Sequence, residues 1–162
     1  MSLNFLNIAC QEKLNNSLFG LCDDNDGTKA YIDIADKRKW IATVNNDNNK
    51  DVIFTAVDKC IIHDHEFPGR GRCDAILTTA EQIYFVELKD QARSWITDAI
   101  VQLESTINFY LENNHLSAFK HKKAFACNKR RQHFQEIDNE QNLRFFRKYN
   151  VRIDIQAEII II

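Results

Sequence analysis

The sequence GRGRCDAILTTAEQIYFVELKD, residues 69–90, decides the fold of this chain. Residues 73–78 and 83–88 form two short apolar runs, and the second is rich in β-branched and aromatic side chains, which is typical of strands. The four residues between the runs, 79–82, suit a hairpin loop. The pattern therefore predicts an antiparallel hairpin at the centre of a sheet.

The register of this hairpin follows from counting outward from its loop. Ile76 then lies opposite Phe85, and Asp74 lies opposite Glu87. Because side chains alternate along a strand, Glu87 and Lys89 share one face. The predicted register therefore brings two carboxylates side by side, with Cβ atoms roughly 5 Å apart.

Two adjacent carboxylates need a reason to be together, because like charges opposite each other destabilise a sheet. A cation or a shared proton would neutralise Asp74 and Glu87. Paired carboxylate oxygens suit Mg²⁺ or Mn²⁺, and Lys89 beside them could orient a water or offset charge on a phosphate. That combination suits metal-assisted hydrolysis of a phosphodiester. The alternative is a salt-bridged hairpin end, in which Lys89 and Arg72 pair with the two acids.

The arrangement of these residues resembles the PD-(D/E)XK nuclease superfamily, whose pattern is an Asp at the start of one strand and Asp/Glu-x-Lys on the next. Here Asp74 is followed after twelve residues by Glu87, Leu88 and Lys89, and Cys73 stands where the name has Pro. The resemblance implies that Asp74, Glu87 and the Leu88 carbonyl bind Mg²⁺ or Mn²⁺. It also implies that Lys89 positions the attacking water and that the substrate is a nucleic acid, most simply DNA.

The resemblance also implies the fold, an α/β protein with a restriction-endonuclease-like αβββαβ core. Its mixed central sheet would be flanked by helices, and a helix and a strand would follow at the C-terminal end. We expect one domain over residues 1–162, given the length of the chain. Apolar periodicity predicts helices at 3–21, 92–111 and 136–149 and extended segments at 52–57, 60–67, 123–127 and 151–159, with short strand or helix pieces at 31–34 and 40–44.

Further site residues are predicted around the hairpin. Gln102 lies beside the apolar stripe of the helix at 92–111, where several branches of the superfamily carry a Gln that touches the active site; Thr106 replaces the Tyr that often accompanies it. Arg70 and Arg72 precede Asp74 and could hold a phosphate through forked hydrogen bonds, or simply solvate the turn. The basic residues after the strand at 123–127 could follow a phosphate backbone, or form a solvated loop: Lys129, Arg130 and Arg131.

The composition sets limits on these hypotheses. The formal net charge is −2, whereas nucleic-acid-binding domains are usually basic. Five scattered cysteines form no zinc-ligand spacing and are expected to be free thiols in a reducing cytoplasm. His63 and His65 would share a strand face, but two histidines alone do not complete a metal site. No apolar run is long enough to span a bilayer, so no membrane partner is expected.

Two functions from different classes are consistent with the sequence. The first is a divalent-metal-dependent nuclease; many members of the superfamily pair to cut two strands, which implies a homodimer or a partner protein. The second is a non-catalytic nucleic-acid-binding or accessory subunit on a nuclease-like fold, in a defence or repair system for example, which the acidic charge balance and small size favour.

Overall fold

The computed structural model describes residues 3–162 as two β-sheets and two α-helices. A six-stranded sheet has the order β1-β5-β6-β7-β8-β9, and a four-stranded sheet has the order β10-β4-β2-β3. The elements are β1 (Gln11–Leu14), β2 (Leu18–Cys22), β3 (Tyr31–Asp33), β4 (Ala42–Asn45), β5 (Val52–Ala56), β6 (Ala75–Thr78), β7 (Gln82–Lys89), α1 (Ile96–Leu111), β8 (His121–Asn128), α2 (Asn139–Tyr149), β9 (Arg152–Ile155) and β10 (Glu158–Ile160). The protein is therefore an α/β protein.

The predicted hairpin is confirmed as β6 and β7. Thr78 lies opposite Ile83, and Ile76 lies opposite Phe85, as counting from the loop predicts. Asp74 directly precedes β6, and its backbone N–H donates to the Val86 carbonyl at 3.1 Å. The pairing thus continues to Asp74, which places it beside Glu87 on the neighbouring strand.

The six-stranded sheet is mixed. β1, β5, β6 and β7 pair antiparallel, and β7, β8 and β9 pair parallel. The parallel pair β7 and β8 is joined through α1, since a parallel connection needs a long crossover. Side chains of α1 and α2 pack on one face of this sheet, around Phe85, Ile107 and Phe145.

The opposite face of the six-stranded sheet packs against the four-stranded sheet. Phe19 and Val44 of the smaller sheet share an apolar core with Phe54, Tyr84 and Phe125 of the larger one. Both helices therefore lie on one face of the six-stranded sheet, and β-structure covers the other.

The predicted helix at residues 3–21 is also wrong. A 3-10 helix at Ile8–Cys10 is followed by β1 and β2, so the leucine spacing does not mark a helix stripe. Leu6, on the predicted stripe, is 67% exposed. Gly20 explains part of this result, because a Cβ there would lie 2.0 Å from the Trp40 ring. Close packing of the Trp40 indole on an extended backbone favours the strand over the helix.

Three further segments differ from expectation. Residues 60–67 form turns instead of an extended segment, with an isolated bridge between Asp58 and Ile62. The helix predicted from residue 92 begins at Ile96, after bends that include Ser94 at φ 53°. The alternating segment 151–159 is divided between β9 and β10, which belong to different sheets.

The remaining predicted elements are present with shifted ends. The apolar run 52–57 is β5, the run 123–127 is the middle of β8, and the helix predicted from residue 136 begins at Asn139. The short pieces at 31–34 and 40–44 contain β3 and most of β4. Over residues 3–162, neither helix combines the length and the apolar character that crossing a bilayer requires.

The expectation of five free thiols is wrong for two of them. Cys10 and Cys60 form a disulfide, with Cα atoms 5.8 Å apart, that ties the 3-10 helix to the turn after β5. Cys22, Cys73 and Cys127 are buried free thiols. No local pattern indicates this pairing, because the two cysteines are 50 positions apart and meet only once β1 pairs with β5.

Candidate metal centre

A polar cavity of about 410 Å³ lies at the end of β7, where the chain leaves the sheet. It contains Asp74, Glu87 and Lys89, which the sequence placed together. Its full lining is Asp23, Asn25, Asp58, Arg72, Asp74, Glu87, Leu88, Lys89, Asp90, Gln91 and Gln102. With five carboxylates against two cationic side chains, this lining attracts cations.

The two central acids are buried, with Asp74 7% exposed and Glu87 4% exposed. Asp74 Oδ2 accepts a hydrogen bond from the Leu88 backbone N–H at 2.7 Å. Glu87 Oε2 lies 3.3 Å from Lys89 Nζ. The second oxygen, Glu87 Oε1, is buried and has no hydrogen-bond partner within residues 3–162. Such an orphaned buried oxygen calls for an explanation, and binding of an ion is one of the few available.

Burial and mutual repulsion both oppose ionisation of these acids. Burial raises the pKa of Asp74 well above its ordinary value, and the Glu87 charge raises it further. Burial also raises the pKa of Glu87 to about 7, against the opposing effects of a hydrogen bond to Asp74 and the Lys89 ammonium. If the pair holds one proton, the protonated carboxyl group can donate a hydrogen bond to the other. If both Asp74 and Glu87 are ionised, no donor is available to Glu87 Oε1.

Two neutralising arrangements are therefore open to this pair, a shared proton or a cation. No group of three or more His, Cys, Asp or Glu in the described chain, residues 3–162, could hold a metal ion without help. Magnesium does not need such a cage, because it is usually bound by one or two carboxylates and keeps several waters. The residues present fit a hydrated Mg²⁺ or Mn²⁺ whose other ligands are water and substrate.

Arg72 stabilises the wall of the cavity through hydrogen bonds. Its guanidinium donates to Asp58 Oδ1 at 2.7 Å and Asp64 Oδ1 at 3.0 Å, and it also contacts the His63 and Glu66 carbonyls. The side chain is only 16% exposed. Arg72 thus lies in the predicted place, but its donors already bind the loop at 58–66 and are not free for a phosphate.

Two polar residues of α1 hold the segment that leads into Asp74. Gln102 Oε1 accepts from the Arg72 N–H at 2.7 Å. Thr106 Oγ1 accepts from the Cys73 N–H at 2.6 Å and donates to the Gln102 carbonyl at 3.1 Å. Gln102 therefore lies in the cavity, as predicted, and Thr106 fixes the backbone directly before Asp74.

Gly71 is required by this contact. A Cβ there would lie 2.1 Å from Gln102 Oε1. We expect Gly71→Ala to displace the amide, break its bond to the Arg72 N–H, and lower the free energy of unfolding by about 1 kcal/mol. Urea titration of Gly71→Ala, Gln102→Ala and the double variant tests this: the double variant should be no less stable than Gln102→Ala. Additive losses would contradict the contact.

The remaining predicted contacts lie around the cavity, not within it. Arg70 binds Glu112 at 2.9 Å and stacks 3.4 Å from the centre of the Phe109 ring, away from the cavity lining. Arg130 pairs with Asp90 at 2.8 Å at the cavity edge. Lys129 lines an adjoining recess, and Arg131 is exposed. The neighbouring strand ends bring this basic cluster beside the hairpin, because Lys89 of β7 lies opposite Asn128 of β8.

Sequence reasoning missed three acids of the lining. Asp90 directly follows β7, and Asp58 stands two residues after the end of β5, so an acid after an apolar run was the available signal for both. Asp23 follows β2, which was mistaken for part of a helix, so its place could not be foreseen. His63 and His65 lie in an exposed turn and not on a strand.

Comparison of the chain with protein-family models, with curated proteins and with solved structures found no match.

Proposed function

We propose that this protein is a divalent-metal-dependent nuclease that hydrolyses phosphodiester bonds, with DNA as its substrate. The observation that carries the proposal is the buried pair Asp74 and Glu87, in which one carboxylate oxygen has no partner within residues 3–162. Burying two adjacent acids is costly unless something neutralises them. A hydrated divalent cation neutralises both and gives the orphaned oxygen a ligand.

The strand order supports the restriction-endonuclease-like part of this proposal. β5, β6, β7, α1 and β8 follow one another as the βββαβ part of the expected core, with β7 and β8 parallel. The first helix of that core is absent from residues 3–162, and the four-stranded sheet covers its face instead. The proposal therefore depends on the carboxylate pair and on this partial topology together.

In this account Asp74, Glu87 and the Leu88 carbonyl hold Mg²⁺ or Mn²⁺. When bound, the ion would lower the pKa of a water molecule and offset negative charge at the phosphate. Lys89 keeps its ammonium at the edge of the cavity, 3.3 Å from Glu87, where it can orient the attacking water. The water oxygen bonds to phosphorus, the bond to the leaving oxygen breaks, and the proton that the water loses is balanced by the one that the leaving oxygen gains, so the products are a phosphomonoester and an alcohol.

Flanking cations support binding of a phosphate backbone. Lys129 lines a recess that shares Asp23, Asn25 and Asp90 with the main cavity. Lys39 and Arg38, from the segment between β3 and β4, line the same recess. We propose that Lys129 and Arg131 contact the substrate on this side, and that Arg130 does so on releasing Asp90, with which it pairs at 2.8 Å. Arg72 supports the cavity wall instead, since its guanidinium binds the loop at 58–66, and Arg70 pairs with Glu112 away from the cavity lining.

To test this, the purified protein is incubated with supercoiled plasmid, linear duplex DNA, single-stranded DNA and RNA. Each substrate is tested with Mg²⁺, with Mn²⁺ and with EDTA, and cleavage is measured. We expect cleavage of DNA with either metal and none with EDTA. The reason is that two carboxylates repel a phosphate unless a cation lies between them. The control is Asp74→Asn, which keeps the side-chain shape and removes one charge; it should be inactive with either metal.

An accessory subunit is the second candidate, favoured by the acidic lining and by the committed Arg70 and Arg72 guanidiniums. Absence of metal-dependent cleavage on every substrate form, together with metal-independent binding of nucleic acid, would support this candidate and contradict the nuclease.

A further inference from the structure

Asp23 stands out in the cavity because it comes from the other sheet. It is the first residue after β2, whereas Asp74, Glu87 and Lys89 belong to the β6–β7 hairpin. The two sheets meet through a shared apolar core, which brings the end of β2 to the cavity. Asp23 is part-buried and lines the same space as the two central acids.

Asp23 is less committed than the other outlying acids. Asp58 is paired with Arg72 at 2.7 Å, and Asp90 is paired with Arg130 at 2.8 Å. Asp23 Oδ1 accepts only from the Asn25 backbone N–H, at 2.9 Å. Across residues 3–162 Asp23 forms no ion pair, so its charge is uncompensated.

A second, independent observation points to a ligand in this space. Glu87 is 4% exposed, and its Oε1 has no hydrogen-bond partner in the described part of the chain. An uncompensated carboxylate and an unpartnered carboxylate oxygen, from two different sheets, therefore line one cavity. Both deficits are removed if a hydrated cation occupies the space between them.

We infer that Asp23 is a third carboxylate of the cation site, and that it acts by accepting a hydrogen bond from a metal-bound water. Asp23 acts through a water and not as a direct ligand, because no three acidic side chains within residues 3–162 are close enough to bind an ion together. The inference deepens the proposed function and rests on it. It makes the four-stranded sheet part of the site: without the end of β2, the cation would keep only the hairpin ligands.

The negative charge of Asp23 makes it a strong acceptor for a hydrogen bond from a metal-bound water. An acceptor for a metal-bound water raises the affinity of the site for the ion and fixes the orientation of that water. Asp23 would thus orient a water in the cavity that it shares with Lys89 and Glu87. Asp23 is accordingly a positioning residue, and Asp74 and Glu87 remain the direct ligands.

The test is Mn²⁺ binding to the purified full chain, measured from the electron paramagnetic resonance signal of free hydrated Mn²⁺. We expect Asp23→Asn to raise the Kd about tenfold, the usual lower bound for loss of an outer-shell partner. The matched control is Asp24→Asn, which removes the same charge one residue away. Asp24 accepts from the Tyr31 hydroxyl at 2.8 Å and does not line the cavity, so its Kd should equal that of wild type.

Two more variants make each outcome decisive. Asp23→Ser is a second neutral variant whose oxygen still suits the turn to Asn25, and it should behave as Asp23→Asn. Asp74→Asn should abolish binding. Wild-type affinity in both Asp23 variants, with binding lost in Asp74→Asn, would overturn the role of Asp23 and leave the proposed nuclease standing. If wild type itself binds no Mn²⁺, the proposed metal site fails and this inference fails with it.

Discussion

Glu87→Gln is expected to stabilise the metal-free protein at pH 8 while removing its response to Mg²⁺. Burial raises the pKa of Glu87 to about 7 from an ordinary value of 4.5. The native state therefore binds more protons than the unfolded state between those values. Stability falls as pH rises through this window, and the loss is complete above about pH 7.

The size of this effect follows from the shift. One pKa unit corresponds to about 1.4 kcal/mol, so the charged Glu87 costs roughly 3 kcal/mol at pH 8 as an upper value. A Gln in its place carries no charge to bury but loses the Lys89 ion pair. We expect Glu87→Gln to be about 1–3 kcal/mol more stable than wild type at pH 8, and the difference to shrink to within about 1 kcal/mol at pH 5.

Urea unfolding at pH 5 and pH 8, with EDTA and with Mg²⁺, measures this prediction. At pH 8, Mg²⁺ should make the wild-type protein more stable than it is with EDTA, because the ion binds the ionised acids of the native state. It should leave Glu87→Gln unchanged. The control is Glu81→Gln, an exposed glutamate in the hairpin loop. A variant less stable than wild type at pH 8 would show that Glu87 is held by interactions other than a cation.

Lys89→Ala is expected to reduce metal-dependent cleavage about 10²–10³-fold, the usual cost of removing one fixed group that stabilises charge in the transition state. Lys89 Nζ lies 3.3 Å from Glu87 Oε2 and its side chain is 16% exposed, so it is fixed at the cavity without being sealed from a substrate. Its removal should lower kcat more than it raises KM, because the ammonium acts on the water and on developing charge.

The comparison that isolates this effect is Lys120→Ala. Lys120 is an exposed lysine beside the start of β8, at the opposite end of the strand from the cavity. It should cut at the wild-type rate. Mn²⁺ binding by Lys89→Ala should stay within a small factor of wild type, since both carboxylates remain. Equal cleavage by Lys89→Ala and wild type would remove Lys89 from the mechanism.

The hairpin could be predicted because its information is local. Two apolar runs and a short loop set the register, and the register brought Asp74 to Glu87 and Lys89 to the same end. The helix α1 was also visible, since its apolar positions repeat over four turns. Gln102, which the family resemblance implied as a site residue on that helix, lies in the cavity.

What the sequence could not show depends on contacts between distant segments. The spacing of leucines in residues 3–21 matches a helix, but Gly20 lies under the Trp40 ring and the segment pairs as β2 with β3 and β4. Strand pairing across the chain overrode the local pattern. The same error hid Asp23, whose position has meaning only once the second sheet exists.

The side chains flanking the hairpin show a similar limit. Arg72 was placed near Asp74 correctly, yet of its partners Asp64 comes from a turn that was expected to be extended, and Asp58 lies between two predicted segments. Thr106 replaces a residue expected to accompany Gln102, and only the structure shows that its hydroxyl binds the Cys73 N–H. The charge and the approximate position of these side chains could thus be predicted from the sequence. The residues to which Arg72 and Thr106 form hydrogen bonds could not.

The most direct test of the account is a crystal grown or soaked in Mn²⁺ and measured at a wavelength where manganese scatters anomalously. The account predicts one strong anomalous peak within coordination distance of both Asp74 and Glu87, with Glu87 Oε1 as a ligand and Asp23 facing a bound water. An empty space between the two carboxyl groups at saturating Mn²⁺, with the pair held together by a proton alone, would contradict it.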